Sequence, residues 1–264
     1  MSQWTDPQYL CEQQYRDPAN LCARAALHRR FSTNDYPWQL CVFDHLDLHE
    51  GARVLELGCG PGDLWVKNRG RLPASWALTL TDLSPGMVRR ARQRLGNQHG
   101  GFVYATVDAQ ALPLPSNCFD RVIADHCVYH VPRRYDLLHE AHRVLVPGGR
   151  FCAATNGLEH MHELKDLVGR FVRSSDSDTV VGPFCLENGE TQPQEIFSSV
   201  HLYRQENSLA VTDPEAVVDY VRSYVSAEPG NPGLVALESW VQGHIAAQGA
   251  FSISKDAGMF VATK

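Results

Sequence analysis

Val54-Leu55-Glu56-Leu57-Gly58-Cys59-Gly60-Pro61-Gly62-Asp63 decides how this chain is built. Residues 54–57 have the apolar, β-branched character of a short buried strand, and the glycines after them interrupt any regular element. Glycine tolerates positive φ and, having no Cβ, brings bare backbone against a ligand. A helical segment follows, so the stretch is a strand, a tight turn and a helix start. Its spacing is G-x-G-x-G, whereas dinucleotide-binding turns use G-x-G-x-x-G, and no lysine stands where a P-loop requires one. Glu56, just ahead of the first glycine, repels phosphate and suits an ammonium group. The ligand this loop fits is a nucleoside joined to an amino acid, without phosphates.

Working outward, short β-rich runs at 77–81, 102–107, 119–124 and 149–155 alternate with helical segments near 63–71, 85–95 and 134–145. That alternation predicts a parallel sheet with helices on both faces and a ligand at the C-terminal strand ends. Asp82 ends the second run, where a carboxylate accepts both hydroxyls of a ribose. Its alternative role, capping the helix that starts at Pro85, is filled better by Ser84. Asp108 follows the third run, placed to accept from the exocyclic amine of an adenine held between Leu83 and Ala109. One acid after each of three successive strands is far more specific than any one of them.

Residues 7–50 read as a helical lead-in, with Leu21, Ala25, Leu27 and Phe31 at helical spacing and a break at Ser32-Thr33-Asn34-Asp35. A second helix is expected over 37–47, burying Leu40, Val42, Phe43 and Leu46. Beyond Asn156-Gly157 the pattern predicts a helix near 159–172, a mobile polar loop at 174–178 and a strand over 200–212. A helix capped by Asp213 follows, and the tail, 251–262, reads as a hairpin around Lys255-Asp256-Ala257-Gly258. The expected organisation is one domain over 1–264, made of lead-in and lid (1–50), cofactor-binding core (51–157), substrate-side lid (158–248) and terminal hairpin (249–264).

The 264 residues are 44% hydrophobic and 20% charged, ordinary for a globular protein with a sizeable core. The net charge of −6 argues against a sequence-independent grip on nucleic acid. Arg89, Arg90, Arg92 and Arg94 are expected to form one solvated helix face. No apolar run approaches the ~20 residues of a membrane span, and the first residues lack the pattern of a secretory signal. A cytoplasmic enzyme follows, its eight cysteines free thiols without a C-x-x-C pair. His126/His130 and His160/His162 lack the acid of a zinc H-E-x-x-H motif, so no metal site is expected. A homodimer stays open.

The glycine turn, Thr81-Asp82-Leu83-Ser84-Pro85-Gly86-Met87 and Asp108-Ala109-Gln110-Ala111-Leu112-Pro113 resemble the class I S-adenosylmethionine-dependent methyltransferases. So do Phe119 through His126 with Tyr129-His130-Val131, and Arg143-Val144-Leu145-Val146-Pro147-Gly148-Gly149. The blocks keep family order over residues 50–157 and are similar to the bacterial small-molecule branch of ubiquinone-biosynthesis type. The resemblance implies a Rossmann-like α/β fold, a seven-stranded sheet with its last strand antiparallel. It implies that Gly58, Cys59, Gly60 and Gly62 line the amino-acid end of S-adenosylmethionine, with Glu56 in its polar network. Asp82 then holds the ribose, Leu83 packs on the adenine, and Asp108 with Ala109 reads the adenine edge. Asp125 marks the strand end that meets the methionyl amine through a carbonyl. Tyr15 and Arg24, in a lead-in similar to a closing lid, contact the carboxylate and sulfonium end.

Methyl transfer needs an acceptor aligned with the methyl group and water excluded. A base matters when the acceptor arrives protonated, and histidine suits that task. His126, just past the fourth strand, is the candidate base, with His130 and Tyr129 as reserves. His160, His162 and Glu163 are expected on the substrate side. The competing reading from another class is a cofactor-binding regulator or partner protein without transferase activity. A decayed loop would favour it, and this loop keeps its polar residues. The small-molecule acceptor itself is not written in the sequence.

Overall fold

Parallel strands buried on both faces read as continuous apolar runs, and Val54, Leu55 and Leu57 are fully buried. The computed structural model describes residues 2–96, 101–172, 180–225 and 230–264. Its strands are β1 (Arg53–Leu57), β2 (Ala77–Asp82), β3 (Phe102–Thr106), β4 (Phe119–Asp125), β5 (Leu145–Asn156), β6 (Ser199–Val211) and β7 (Phe251–Thr263). They form one seven-stranded sheet in the order β3-β2-β1-β4-β5-β7-β6. β1 runs parallel to β2 and β4, β2 to β3, and β4 to β5. β7 runs antiparallel to both β5 and β6, so it alone is reversed. The order turns back between β1 and β4, which opens a crevice at their C-terminal ends.

The lead-in contains α1 (Pro7–Tyr9), extended by a π turn at Leu10–Gln14, then α2 (Ala19–Phe31) and α3 (Trp38–Asp44). The crossovers hold α4 (Asp63–Lys67), α5 (Pro85–Leu95) and α6 (Arg134–Val144). The C-terminal part adds α7 (His162–Phe171), α8 (Thr191–Gln194), α9 (Pro214–Arg222) and α10 (Pro232–Gln248). Neighbouring strand residues point to opposite faces. Leu55, Leu57 and Val122 therefore pack with Leu137, Leu138 and Ala141 of α6. Val54 and Ile123 pack on the other face with Trp65, Phe43, Leu46 and Leu95. A third cluster joins α7, α9 and α10 to Leu27 of α2, so the lead-in docks on the C-terminal helices. Among the described residues no helix is long and apolar enough to cross a membrane.

Several expectations are corrected. The tail is one strand, not a hairpin, since Asp256 pairs with Glu206 and Gly258 with Arg204 along β6. Hairpin turns use positive φ, and Gly258 is absent from the positive-φ glycines. A Cβ on it would sit 2.7 Å from the Tyr203 carbonyl oxygen, so this glycine serves strand contact. The stretch 158–248 is not a single lid, because β6 inside it belongs to the main sheet. The helix expected over 37–47 ends at Asp44, and Asp47 turns to φ +48°. The helix expected near 63–71 stops at Lys67, where Asn68 Nδ2 donates to the Leu64 carbonyl at 2.9 Å. The polar stretch 174–178 lies outside the described residues.

Candidate active site

The turn after β1 is pinned to β2 from both sides. Thr81 Oγ1 donates to the Glu56 carbonyl at 2.8 Å, and Cys59 N–H donates to the Thr81 carbonyl at 2.8 Å. Gly58 and Gly62 have φ of +67° and +78° for different reasons. A Cβ on Gly58 would lie 2.7 Å from Cys127 Cβ, in the connection after β4. A Cβ on Gly62 would lie 2.8 Å from Leu95 Cδ1, so this glycine lets α5 close on α4. Gly62 does not line the cavity. The other fourteen residues singled out as catalytic or cofactor-binding do, around a cavity of about 1140 Å³.

Asp82, at the end of β2, accepts the Gly60 N–H at 2.9 Å on one oxygen and the Ser84 N–H at 2.8 Å on the other. Burial pushes its carboxyl above the ordinary value while these backbone donors pull it back. Ser84 itself caps α5, accepting from Met87 N–H. Glu56 is 2% exposed and takes the Trp65 indole N–H at 2.5 Å. Burial holds its carboxyl well above the ordinary value, against the pull of that bond. Asp108 is exposed and closes a local turn, accepting from the Gln110 backbone and side-chain amides at 2.9 Å. Leu83 and Ala109 border the same cavity.

At the end of β4, Asp125 accepts the Trp38 indole N–H at 3.0 Å, and His126 Nε2 stands 3.9 Å from the same oxygen. His126 has φ +56°, a left-handed conformation that costs a non-glycine residue roughly 1–2 kcal/mol. Such strain collects at functional sites. Its Nδ1 is enclosed and unpaired; burial lowers its pKa, with Asp125 opposing and Lys255 adding to the shift.

His130 and Tyr129, the reserve bases, are both engaged within the fold. The Trp4 carbonyl, 2.8 Å from His130 Nδ1, can only accept, so Nδ1 carries the proton. Nε2 then accepts the Tyr15 hydroxyl at 2.9 Å. Burial pushes this imidazole down to about 4. His130 thus clamps the lead-in. Tyr129 is packed in the core, and burial pushes its hydroxyl well up. Arg24 reaches the Tyr15 hydroxyl and the Ser223 carbonyl, both at 3.4 Å. The lead-in is tied down again where Ser84 Oγ donates to the Tyr15 carbonyl at 2.7 Å.

His160 lines the cavity, while His162 and Glu163 do not; Glu163 accepts from Ser254 instead. The sequence reading missed Trp38, Trp65, His28 and Lys255. Of these only Trp65 carried a local signal, on the helix that follows the glycine turn, nine residues from Glu56.

Residues 55–153 match the family model described as a methyltransferase domain. The ubiquinone/menaquinone biosynthesis C-methyltransferase of Methylococcus capsulatus is 32% identical over 115 residues, 43% of this chain and 46% of that protein. Its counterpart in Paracoccus denitrificans is 34% identical over the same shares. The alignments thus span about half the length of these curated relatives. A Haemonchus contortus phosphoethanolamine N-methyltransferase 2, solved with S-adenosyl-L-methionine, superposes with TM-score 0.60 at 17% identity, covering 98% of this chain and 60% of that one. The [4+2]-cyclase SpnF superposes with TM-score 0.61 at 18% identity, covering 98% and 96%. Residues 55–153 are thus similar to a methyltransferase domain, and the sheet shares the Rossmann-like fold of solved methyltransferases.

Proposed function

We propose that this chain transfers the methyl group of S-adenosylmethionine to a small-molecule acceptor and releases S-adenosylhomocysteine. The observation that carries this reading is the meeting of Glu56, Asp82 and Asp108, after three neighbouring strands, on one cavity wall beside the bare backbone of Gly60. The residues fit that cofactor. A carboxylate offers about four lone-pair sites; Asp82 uses one on each oxygen for Gly60 and Ser84, and the rest suit a ribose diol. Buried Glu56 has a single donor in Trp65, and an ammonium group beside it favours its charged form. Leu83 and Ala109 flank the adenine, with Asp108 at its edge. Tyr15 and Arg24 close the amino-acid end together with Gly58 and Cys59. The side chain of Asp125 is held by Trp38, which leaves its strand-end carbonyl for the amine.

Bound there, the cofactor supplies an electrophilic methyl group on a positively charged sulfur. The chain's own work is to align the acceptor and exclude water. The lead-in does the excluding, through Tyr15 on His130 and on Ser84. His126 is neutral at pH 7 because burial lowers its pKa, and it takes a proton from the acceptor. The cavity exceeds the ~300–1,000 Å³ of a single ligand site, so cofactor and acceptor fit together. The organisation we propose is one catalytic unit, with lead-in and C-terminal helices covering the cofactor-binding core. The net charge of −6 and the unpaired thiols support a small-molecule acceptor and a reducing, cytoplasmic setting.

Calorimetric titration with S-adenosylmethionine and S-adenosylhomocysteine tests the reading, repeated on Asp82→Ala. Micromolar binding lost in the variant supports it and leads to acceptor screening with labelled methyl groups. Absence of binding by the folded chain refutes it.

A further inference from the structure

The cavity wall changes sign along the chain. Glu56, Asp82, Asp108 and Asp125 line it near the glycine turn, whereas no described lining residue from Asn156 to Ala257 is acidic. In that second half stands Lys255, half-buried on β7 opposite Asn207. Among the described residues no carboxylate pairs with it. Its neighbour Asp256 is taken by Arg204 at 3.2 Å, and the other lysine of this wall, Lys165, donates to the Leu158 carbonyl at 2.7 Å. Burial pushes Lys255 down to about 8, which leaves it mostly charged at pH 7.

The groups around this cation are neutral donors. His28, His126 and His160 all feel the charge of Lys255, and burial keeps all three imidazoles uncharged. The His28 ring lies 6.2 Å from His160 and 5.9 Å from Tyr220, and Tyr220 lies 5.7 Å from Tyr224. Tyr220 and Tyr224 both line the cavity, and neither hydroxyl has a hydrogen-bond partner among the described residues. A half-buried ammonium with no counter-ion is costly to hold. Unused hydroxyl donors on the same wall imply an acceptor group from outside the chain.

We propose that Lys255, Tyr220 and Tyr224 form a subsite for an oxyanion, a carboxylate or a phosphate, carried by the methyl acceptor. It names the acceptor's chemical class and rests on the methyl-transfer reading. The neutral imidazoles of His28 and His160 wall the subsite without adding charge, and the Arg24 charge reaches Tyr220 and Tyr224 from the lead-in side, so the cavity favours a negative group. Phosphate and carboxylate share this recognition chemistry and differ in how many oxygens they present.

Calorimetry on the full chain separates the two readings. S-adenosylhomocysteine is titrated first, which reports the cofactor site alone. Inorganic phosphate and benzoate are then titrated separately, into the chain with and without it. We expect at least one anion to bind, and the tighter of the two to show which group the acceptor carries. Lys255→Met should weaken that binding about 10- to 100-fold, the worth of a hydrogen bond to a charged group. Lys255→Arg should retain most of it, Tyr224→Phe should weaken it less than Lys255→Met, and S-adenosylhomocysteine affinity should not change in Lys255→Met. Binding of neither anion under either condition, or equal binding by native and Lys255→Met chains, overturns the proposal. Loss of S-adenosylhomocysteine binding with Lys255-dependent anion binding intact would sink the methyl-transfer reading and leave the subsite standing.

Discussion

Replacing Gly58 by alanine attacks the turn at its tightest point. The residue holds φ +67°, and a Cβ there would lie 2.7 Å from Cys127 Cβ and 2.9 Å from Cys127 Sγ. Left-handed backbone costs alanine roughly 1–2 kcal/mol, and overpacking of a tight site costs roughly 1–3 kcal/mol. Cys127 Cβ is fixed to the backbone and cannot swing away as the end of a long side chain can. The variant should therefore lose about 2–5 kcal/mol, against a total of ~5–15 kcal/mol for a typical protein. Urea unfolding followed by tryptophan fluorescence reads this loss. The two contributions separate in a double-mutant cycle with Cys127→Gly, which removes the clash and leaves the φ cost in place. A coupling of about 1–3 kcal/mol should appear. S-adenosylhomocysteine binding should weaken with Gly58→Ala, since the strained turn also carries Gly60. If Gly58→Ala unfolds within about 0.5 kcal/mol of the native chain, or if the coupling vanishes, close packing against Cys127 is not what requires glycine.

Asp82→Ala removes the acceptor of two backbone N–H groups as well as the ribose contact. At ~1.5–3 kcal/mol per hydrogen bond to a charged group, S-adenosylhomocysteine affinity should fall at least about 100-fold; a drop of only a few-fold in calorimetry would remove Asp82 from the site. His126→Ala should cut turnover of a protonated acceptor by ~10²- to 10⁴-fold at unchanged cofactor affinity, whereas His130→Phe should weaken cofactor binding by freeing the lead-in. The reverse pattern in steady-state assays would exchange their roles. Acid stability follows from His28 and His130, which burial pushes down to about 3 and about 4. Each stays neutral in the fold but takes a proton in the unfolded chain near pH 6.5, so stability is full above about pH 6.5. It then falls by roughly 1.4 kcal/mol per pH unit and per group as pH drops towards 4. Urea midpoints at several pH values should show a shallower slope in His130→Phe; an unchanged slope refutes the buried neutral imidazole.

The sequence alone was enough to place the glycine turn, the acids at 56, 82 and 108, and the cap at Ser84. Strand periodicity, positive-φ preference and capping act over a few residues, so their pattern is written in chain order. The tail was not legible in this way. Lys255-Asp256-Ala257-Gly258 has turn-like composition, yet β7 runs straight through it because β5 and β6 supply hydrogen bonds on both its edges. The spacing also could not tell Gly62, which meets Leu95, from Gly60, which faces the cavity.

Only the tertiary structure decided the fate of the histidines and the composition of the acceptor side. His130 follows His126 by four positions, and by sequence it reads as a reserve for the same task. The lead-in then brought Trp4 and Tyr15 onto His130 and used both of its nitrogens. Lys255 on β7, His28 on α2 and Tyr220 on α9 come from three distant segments. They face one cavity because α2 docks against α9 through Leu27 and its neighbours. Their burial and pairing follow from apolar contacts between elements far apart in the chain, which exist only once those elements have packed. Local chemistry in the sequence was therefore sufficient for the wall around the glycine turn. The wall that would choose the acceptor exists only where the folded segments meet.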